Sequence, residues 1–232
     1  MCARPHWQAS KLEQEKARRP RCGRCLRPAS HCLCADIPNL HNHTHVLVLQ
    51  HPDEARHPLN TARLAVLGLA RAELLVGETF PQLADKLAVA EQALLLFPAE
   101  NESSVLQAPT VAAKASTILV VPDGTWRKAR RLIRSNPILN TLLRLSLPPG
   151  EPSAYRVRKA SEPAAVASIE AIVRALHILE PEQDFQPLLK PFNKMVAQQI
   201  QAMGEDTYRR NHTEERHELA RTSAIHDDTD DP

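Results

Sequence analysis

Aromatic side chains are scarce in this chain. They make up 3% of its 232 residues, with only two tryptophans, so each tryptophan is worth placing. No apolar run approaches the roughly 18 uninterrupted residues of a membrane span, which excludes a helical membrane protein. The opening Met1-Cys2-Ala3-Arg4-Pro5-His6-Trp7-Gln8 leads into charged positions where a signal peptide would carry its apolar stretch. Export is therefore not expected, and the five cysteines are expected to be free thiols of a cytoplasmic protein. Nor does the whole chain carry charge of one sign, its formal net charge being +2.

That small total hides two basic blocks. Residues 1–34 hold eight Lys/Arg against two acidic residues, a net +6, and residues 123–159 hold nine against two, a net +7. The tail from Glu205 runs the other way, with nine acidic residues against four Arg. Such asymmetry marks either a polyanion-binding surface or a solvated face without a partner.

The remaining composition, 43% apolar and 24% charged, is that of an ordinary globular protein large enough to bury a full core. Val46–Leu49, Leu74–Val76, Leu94–Phe97 and Ile118–Val121 are short, wholly apolar runs. They suit strands buried on both faces, the mark of a parallel sheet covered by helices. Helical periodicity fills the gaps at Asn60–Leu69, Pro81–Glu91 and Thr125–Ser135. The expected fold is α/β, with a mostly parallel sheet and flanking helices over residues 44–204. Alternation at Ala154–Arg158 predicts a half-exposed strand. One helix is expected to open at Ser161-Glu162-Pro163 and another at Pro181. Residues 8–19 read as an exposed helix, and residues 205–232 as an acidic, disordered tail.

Residues 1–43 form a basic segment with its own chemistry. Cys22, Cys25, Cys32 and Cys34 fall within thirteen positions, and four thiolates satisfy the tetrahedral demand of zinc. A redox Cys-x-x-Cys pair would not need a second pair. A structural zinc knuckle is therefore expected, with no open position for catalysis by the metal. His31 is a possible substitute ligand. Arg19, Arg21, Arg24 and Arg27 are expected to be displayed on the knuckle as a nucleic-acid contact.

In an open α/β sheet, ligands bind beyond the carboxyl ends of the strands. Polar residues gather at three such ends here: Gln50-His51-Pro52-Asp53-Glu54, Asp123-Gly124-Thr125-Trp126, and Tyr155-Arg156-Val157-Arg158-Lys159. Asp123 is either an N-cap of the helix that follows or a general base aimed into the crevice. Trp126 is either a core anchor or a stacking face.

Asp123-Gly124-Thr125-Trp126 matches the Asp-x-Thr-Trp signature of DTW-domain proteins. Gln50-His51-Pro52-x-Glu54, Asn60-Thr61-Ala62, Tyr155-Arg156-x-Arg158-Lys159 and the four cysteines look like that family's other blocks, in the same order over residues 20–200. The chain thus resembles the DTW-domain family, and within it the bacterial tRNA-uridine aminocarboxypropyltransferases. The resemblance implies transfer of the 3-amino-3-carboxypropyl group of S-adenosylmethionine to N3 of a uridine in tRNA, releasing methylthioadenosine, on a fold related to the knotted SPOUT methyltransferases.

A sulfonium donor gains from a carboxylate and an aromatic face in a dry pocket. Asp123 or Glu54 supplies the carboxylate, with Trp126, Thr125, His51 and Thr61 as the other expected donor-site residues. Arg127, Lys128, Arg156, Arg158 and Lys159 are expected to hold RNA phosphates. The expected protein is a monomer acting on tRNA, with neither DNA nor membrane as partner. Two alternatives remain open: a zinc-knuckle RNA-binding protein without catalysis, and a methyltransferase using the same donor.

Overall fold

The computed structural model describes residues 20–98, 105–106, 116–148, 151–154, 166–204 and 207–208. The helix expected over residues 8–19, the strand residues 155–158 with Arg156, Arg158 and Lys159, and nearly all of the acidic tail lie outside the described residues.

Each apolar run forms a strand: β1 (His45–Gln50), β2 (Ala72–Val76), β3 (Gln92–Leu96) and β5 (Thr117–Asp123). Two strands that the sequence does not signal complete the sheet, β4 (Val105–Leu106) and β6 (Leu143–Leu145). They are too short, and β6 is too interrupted by Arg144, to show as apolar runs. The strand order is β2-β1-β5-β3-β6-β4, and every pairing is parallel. All the carboxyl ends therefore open on one edge. From β1 the chain leaves toward β2, whereas from β5 it leaves toward β6 on the other side. The β1–β5 boundary is thus a topological switch point, where a crevice must form.

Alternate residues of the central strands feed two separate cores. Val46, Val48, Leu119 and Val121 pack with α2 (Thr61–Gly68), α5 (Ser168–Leu179) and α6 (Lys190–Met203). Leu47, Leu49, Ile118 and Val120 pack with α3 (Leu83–Ala88) and α4 (Trp126–Ser135). The two helical layers enclose the sheet, which accounts for strands apolar on both faces.

Close approach governs the end of α2. A Cβ placed on Gly68 would lie 2.5 Å from Leu188 Cδ1, and Leu188 is fully buried. Gly68→Ala is expected to destabilise the fold by about 1–3 kcal/mol through overpacking. Chemical denaturation reads this, and unchanged stability would mean that Leu188 has room to move.

The C-terminal helices start later than the sequence suggests. The first begins at Ser168, after an extended Ala167, and Ser161–Pro163 lie outside the described residues. Glu170 draws this start together by accepting hydrogen bonds from the Ala167 N–H (2.7 Å) and the Ala154 N–H (2.8 Å). The second begins at Lys190, not Pro181. Asp184 Oδ1 accepts from the Gln186 N–H, and a 3-10 turn, Gln186–Leu189, intervenes. The inward faces are as the periodicity predicts, with Phe185, Leu188, Phe192 and Met195 fully buried.

The cysteine segment is docked against the rest. Leu33 lies fully buried in the core beneath α2, α5 and α6. Arg27, expected on a displayed basic face, is only 8% exposed. Its guanidinium donates to the carbonyls of His31 and Pro58 at 3.0 and 2.9 Å, and to Gln198 Oε1 of α6 at 3.2 Å. It is a pin, because five fixed donors on a planar fork can satisfy three partners on different elements at once.

Candidate active site at the strand ends

Gln50 and Asp123 end β1 and β5 as register partners. The His51 N–H donates to the Asp123 carbonyl at 3.0 Å, and the Gly77 N–H donates to the Gln50 carbonyl at 3.0 Å. Pairing thus continues to the mouth of the crevice, where the side chains take over. Gln50 Nε2 donates to Asp123 Oδ2 at 2.7 Å and to Asn60 Oδ1 at 3.1 Å. Asn60 returns a bond from Nδ2 to Gln50 Oε1 at 3.1 Å, and its Oδ1 caps α2 by accepting from the Arg63 N–H. Ser168 Oγ donates to the other carboxylate oxygen, Oδ1. Asp123, 7% exposed, is therefore a buried carboxylate held by donors from β1 and from the first residue of α5.

Asp123 does not cap the helix. Thr125 is the N-cap of α4, its hydroxyl accepting from the Lys128 N–H at 3.4 Å. The Asp123 carboxylate is engaged at the strand ends instead, by the side chains of Gln50 and Ser168. Gly124, between them, has φ +157°, and a Cβ there would come within 2.9 Å of Lys128 Cβ. Glycine is what lets the chain turn tightly from β5 into α4.

A second polar group flanks the first. His51 is buried; its Nδ1 accepts from the Asp53 N–H at the start of α1 (Pro52–Ala55), and its Nε2 lies 3.2 Å from Glu78 Oε1. Arg131 of α4 holds the other Glu78 oxygen at 2.8 Å. Asn136 fixes the loop behind by accepting from the Phe80 N–H (2.9 Å) and donating to the Glu78 carbonyl (2.9 Å). Glu54 is buried and paired with Lys128 Nζ at 2.8 Å, with Asp53 Oδ2 3.3 Å from the same ammonium. These carboxylates, Glu54 first, hold the Lys128 ammonium above the usual lysine range.

Trp126 is half-buried at the first turn of α4. Its ring meets Phe97, just past β3, edge to face with centroids 5.5 Å apart. The Arg144 guanidinium stands 5.7 Å from the Phe97 centroid, and its Nη1 donates to the Pro98 carbonyl at 2.8 Å. Two of the chain's few aromatic rings thus form one platform at the first turn of the helix that follows Asp123. Thr61, buried at the first turn of α2, lies next to Asn60.

The structure brings Asp123, His51, Glu54, Thr61, Thr125 and Trp126 to one edge of the sheet. Arg127, with Arg130 and Arg134, is exposed on the outer face of α4 and makes no ion pair among the described residues. Lys128 is turned inward to Glu54. Gln50, Asn60, Ser168, Glu78 and Phe97 are the residues that sequence reasoning did not assign to the site. Ser168 lies 45 positions from Asp123, with no local pattern to signal the contact. Gln50 and Asn60 stood within the matched blocks, but their roles depend on contacts between elements.

The four cysteine sulfurs form a separate centre, all within 4.8 Å of one another. Cys22 Sγ lies 3.5 Å from Cys34 Sγ, and Cys25 Sγ lies 3.8 Å from Cys32 Sγ. A tetrahedron with zinc–sulfur bonds of about 2.3 Å has edges of about 3.8 Å, so the donor set fits zinc. A tight turn builds it: the Leu26 N–H donates to the Cys22 carbonyl at 2.9 Å, with Leu26 at φ +58°. Backbone N–H groups of Cys25 and Arg24 pull the Cys22 thiol down to about 6, whereas burial pushes Cys34 up to about 12. Four sulfurs so close cannot all ionise without a cation. His31 instead bonds to Ser30 Oγ at 2.9 Å and is not part of the cluster.

Residues 19–200 match the model of the DTW domain. The mouse tRNA-uridine aminocarboxypropyltransferase 2 is 32% identical over 197 residues, covering 79% of this chain and 65% of that protein. The Drosophila melanogaster protein of the same name is 27% identical over 193 residues, covering 79% and 76%. The Arabidopsis thaliana tRNA-uridine aminocarboxypropyltransferase A is 26% identical over 212 residues, covering 77% and 80%. The chain thus spans just under two thirds of the mammalian relative's length. No solved structure matches it.

Proposed function

The chain belongs to the DTW-domain family, and from that we propose that it is a tRNA-uridine aminocarboxypropyltransferase using S-adenosylmethionine. In the reaction, uridine N3 bonds to the γ-carbon of the donor, the carbon–sulfur bond breaks with its electron pair going to sulfur, and the N3 proton leaves. The products are the alkylated uridine and methylthioadenosine. The observation that carries this reading is the buried Asp123 carboxylate at the β1–β5 switch point, with the Trp126–Phe97 platform at the first turn of the helix that follows. The names of the relatives agree with it.

Asp123 serves as the proton acceptor or as the counter-charge of the sulfonium, and Gln50 and Ser168 orient it. The edge of the Trp126–Phe97 pair offers the aromatic face. Glu54, neutralised by Lys128, is the weaker candidate for either role, because its charge is already balanced. His51, Thr61 and Thr125 lie around the donor. Arg127 and the exposed face of α4, with Arg156, Arg158 and Lys159, take RNA phosphates.

Cys22, Cys25, Cys32 and Cys34 hold one zinc. Four protein ligands fill its tetrahedron, so its contribution is structural. The family's relation to the knotted SPOUT methyltransferases is part of the same proposal.

Purified protein incubated with an unmodified tRNA transcript and S-adenosylmethionine should add the mass of an aminocarboxypropyl group to one uridine. Addition of a methyl mass would make the protein a methyltransferase. No donor binding in a calorimeter would leave an RNA-binding module.

A further inference from the structure

A cleft separates the cysteine knuckle from the turn between α1 and α2 and reaches the strand-end site only at Asn60. Arg21 and Leu26 line one wall; Arg56, His57, Asn60 and Arg63 line the other, and no carboxylate lines it. Among the described residues the guanidiniums of Arg21, Arg56 and Arg63 make no ion pair or side-chain hydrogen bond, and Arg63 Nε is buried without a partner. The acidic residues of α1 face elsewhere, Asp53 and Glu54 both being drawn to Lys128 on α4. Arg27, the fourth arginine of the lining, is engaged by the carbonyls of His31 and Pro58 and by Gln198.

Like charges held together with no counter-charge cost free energy, and a buried, unpaired N–H adds a desolvation cost. A zinc–thiolate centre would carry −2, but it would leave the three guanidinium forks without a planar acceptor. Tetrahedral phosphate oxygens suit such forks in charge and in shape.

We infer that this cleft is a second RNA contact, in which Arg21, Arg56 and Arg63 grip consecutive phosphodiesters of the tRNA backbone. The inference rests on the tRNA reading above. The cleft is joined to the strand-end site through Asn60, which lines it and also bonds Gln50. The Arg27 pin holds its two walls at a fixed separation. RNA held here would run along the knuckle toward the crevice, so the knuckle's zinc would act on catalysis only by shaping the grip.

The test is filter binding of an unmodified tRNA transcript to the full, zinc-containing chain between 50 and 300 mM KCl. Arg56→Gln is the first variant, because an exposed, unpaired side chain can be changed without loss of folding. Arg63→Gln and the triple variant with Arg21→Gln follow, and Lys86→Gln, on the opposite face of the sheet, is the control. Each lost contact should make the log–log salt slope shallower by about 0.7–0.9, so the triple variant should lose about two to three units of slope. Affinity at 100 mM should fall at least tenfold. A slope and affinity indistinguishable from those of Lys86→Gln would overturn the inference. Donor binding without RNA reads the transferase proposal separately: its absence alongside a cleft-dependent slope would retire the transferase and keep the cleft.

Discussion

Asp123→Asn is expected to lower single-turnover transfer about 10²–10⁴-fold while leaving folding and tRNA binding in place. The structure makes this substitution a clean one. Thr125, not Asp123, caps α4, so no helix end is lost. The Asn oxygen can still accept from Gln50 Nε2, and its amide can donate to Ser168 Oγ, a hydroxyl able to accept as well as donate. What goes is the charge and the basic oxygen, with a stability cost of about 1 kcal/mol for weakened hydrogen bonds.

Ser168→Ala is the companion. Ser168 touches the carboxylate and not the reacting atoms, so it should act through Asp123. It is expected to shift the pH profile of transfer with a smaller loss of rate, a change that a purely structural serine would not produce. Wild-type rates from Asp123→Asn, measured with saturating donor and tRNA, would remove this residue from the chemistry. Glu54 would then be the carboxylate to test.

Cys25→Ser should take the protein from one zinc per chain to none and release the segment from Pro20 to Asp36. Cys25 is the buried member of the four and lies within the turn that the Leu26 N–H closes onto the Cys22 carbonyl. In a four-thiolate zinc site metal binding and local folding are one equilibrium, to which zinc contributes on the order of 10 kcal/mol. The docking contacts separate two outcomes. Leu33→Ala should cost about 2–5 kcal/mol by leaving a cavity beneath α2 and α6, yet keep the metal. Elemental analysis and hydrogen exchange distinguish the two variants. No zinc in the native protein purified without chelator would sink the first expectation. Unchanged exchange in Leu33→Ala would show that the knuckle is held by metal and Arg27 alone.

Much of the architecture was legible because burial on both faces leaves a plain mark. Val46–Leu49 and Ile118–Val121 are apolar at every position, and both are central strands. The helices over Asn60–Leu69 and Thr125–Ser135 form where the periodicity predicts, but the second is capped by Thr125 and not by Asp123. The later helices were misplaced because prolines at 163, 181, 187 and 191 all resemble helix starts. The described starts fall at Ser168 and Lys190, and extended Ala167 and the Asx-turn at Asp184 rest on geometry that residue types alone do not specify.

The sequence by itself determined the parallel α/β class, the four-sulfur cluster and the presence of a carboxylate, an aromatic ring and a histidine at strand ends. These depend on residue type and short spacing, through local propensity and burial periodicity. Tertiary structure alone decided which charges are paired and buried and which stay exposed. It turned Lys128 inward to Glu54, buried Arg27 as a pin, joined Ser168 to Asp123 across 45 positions, and set Arg21, Arg56 and Arg63 around one cleft with no carboxylate among the described residues that line it. The physical reason is that the free energy of a charge depends on what lies within about 4 Å of it and on how far water is excluded. Chain order specifies neither until the strands have paired and the helices have covered them.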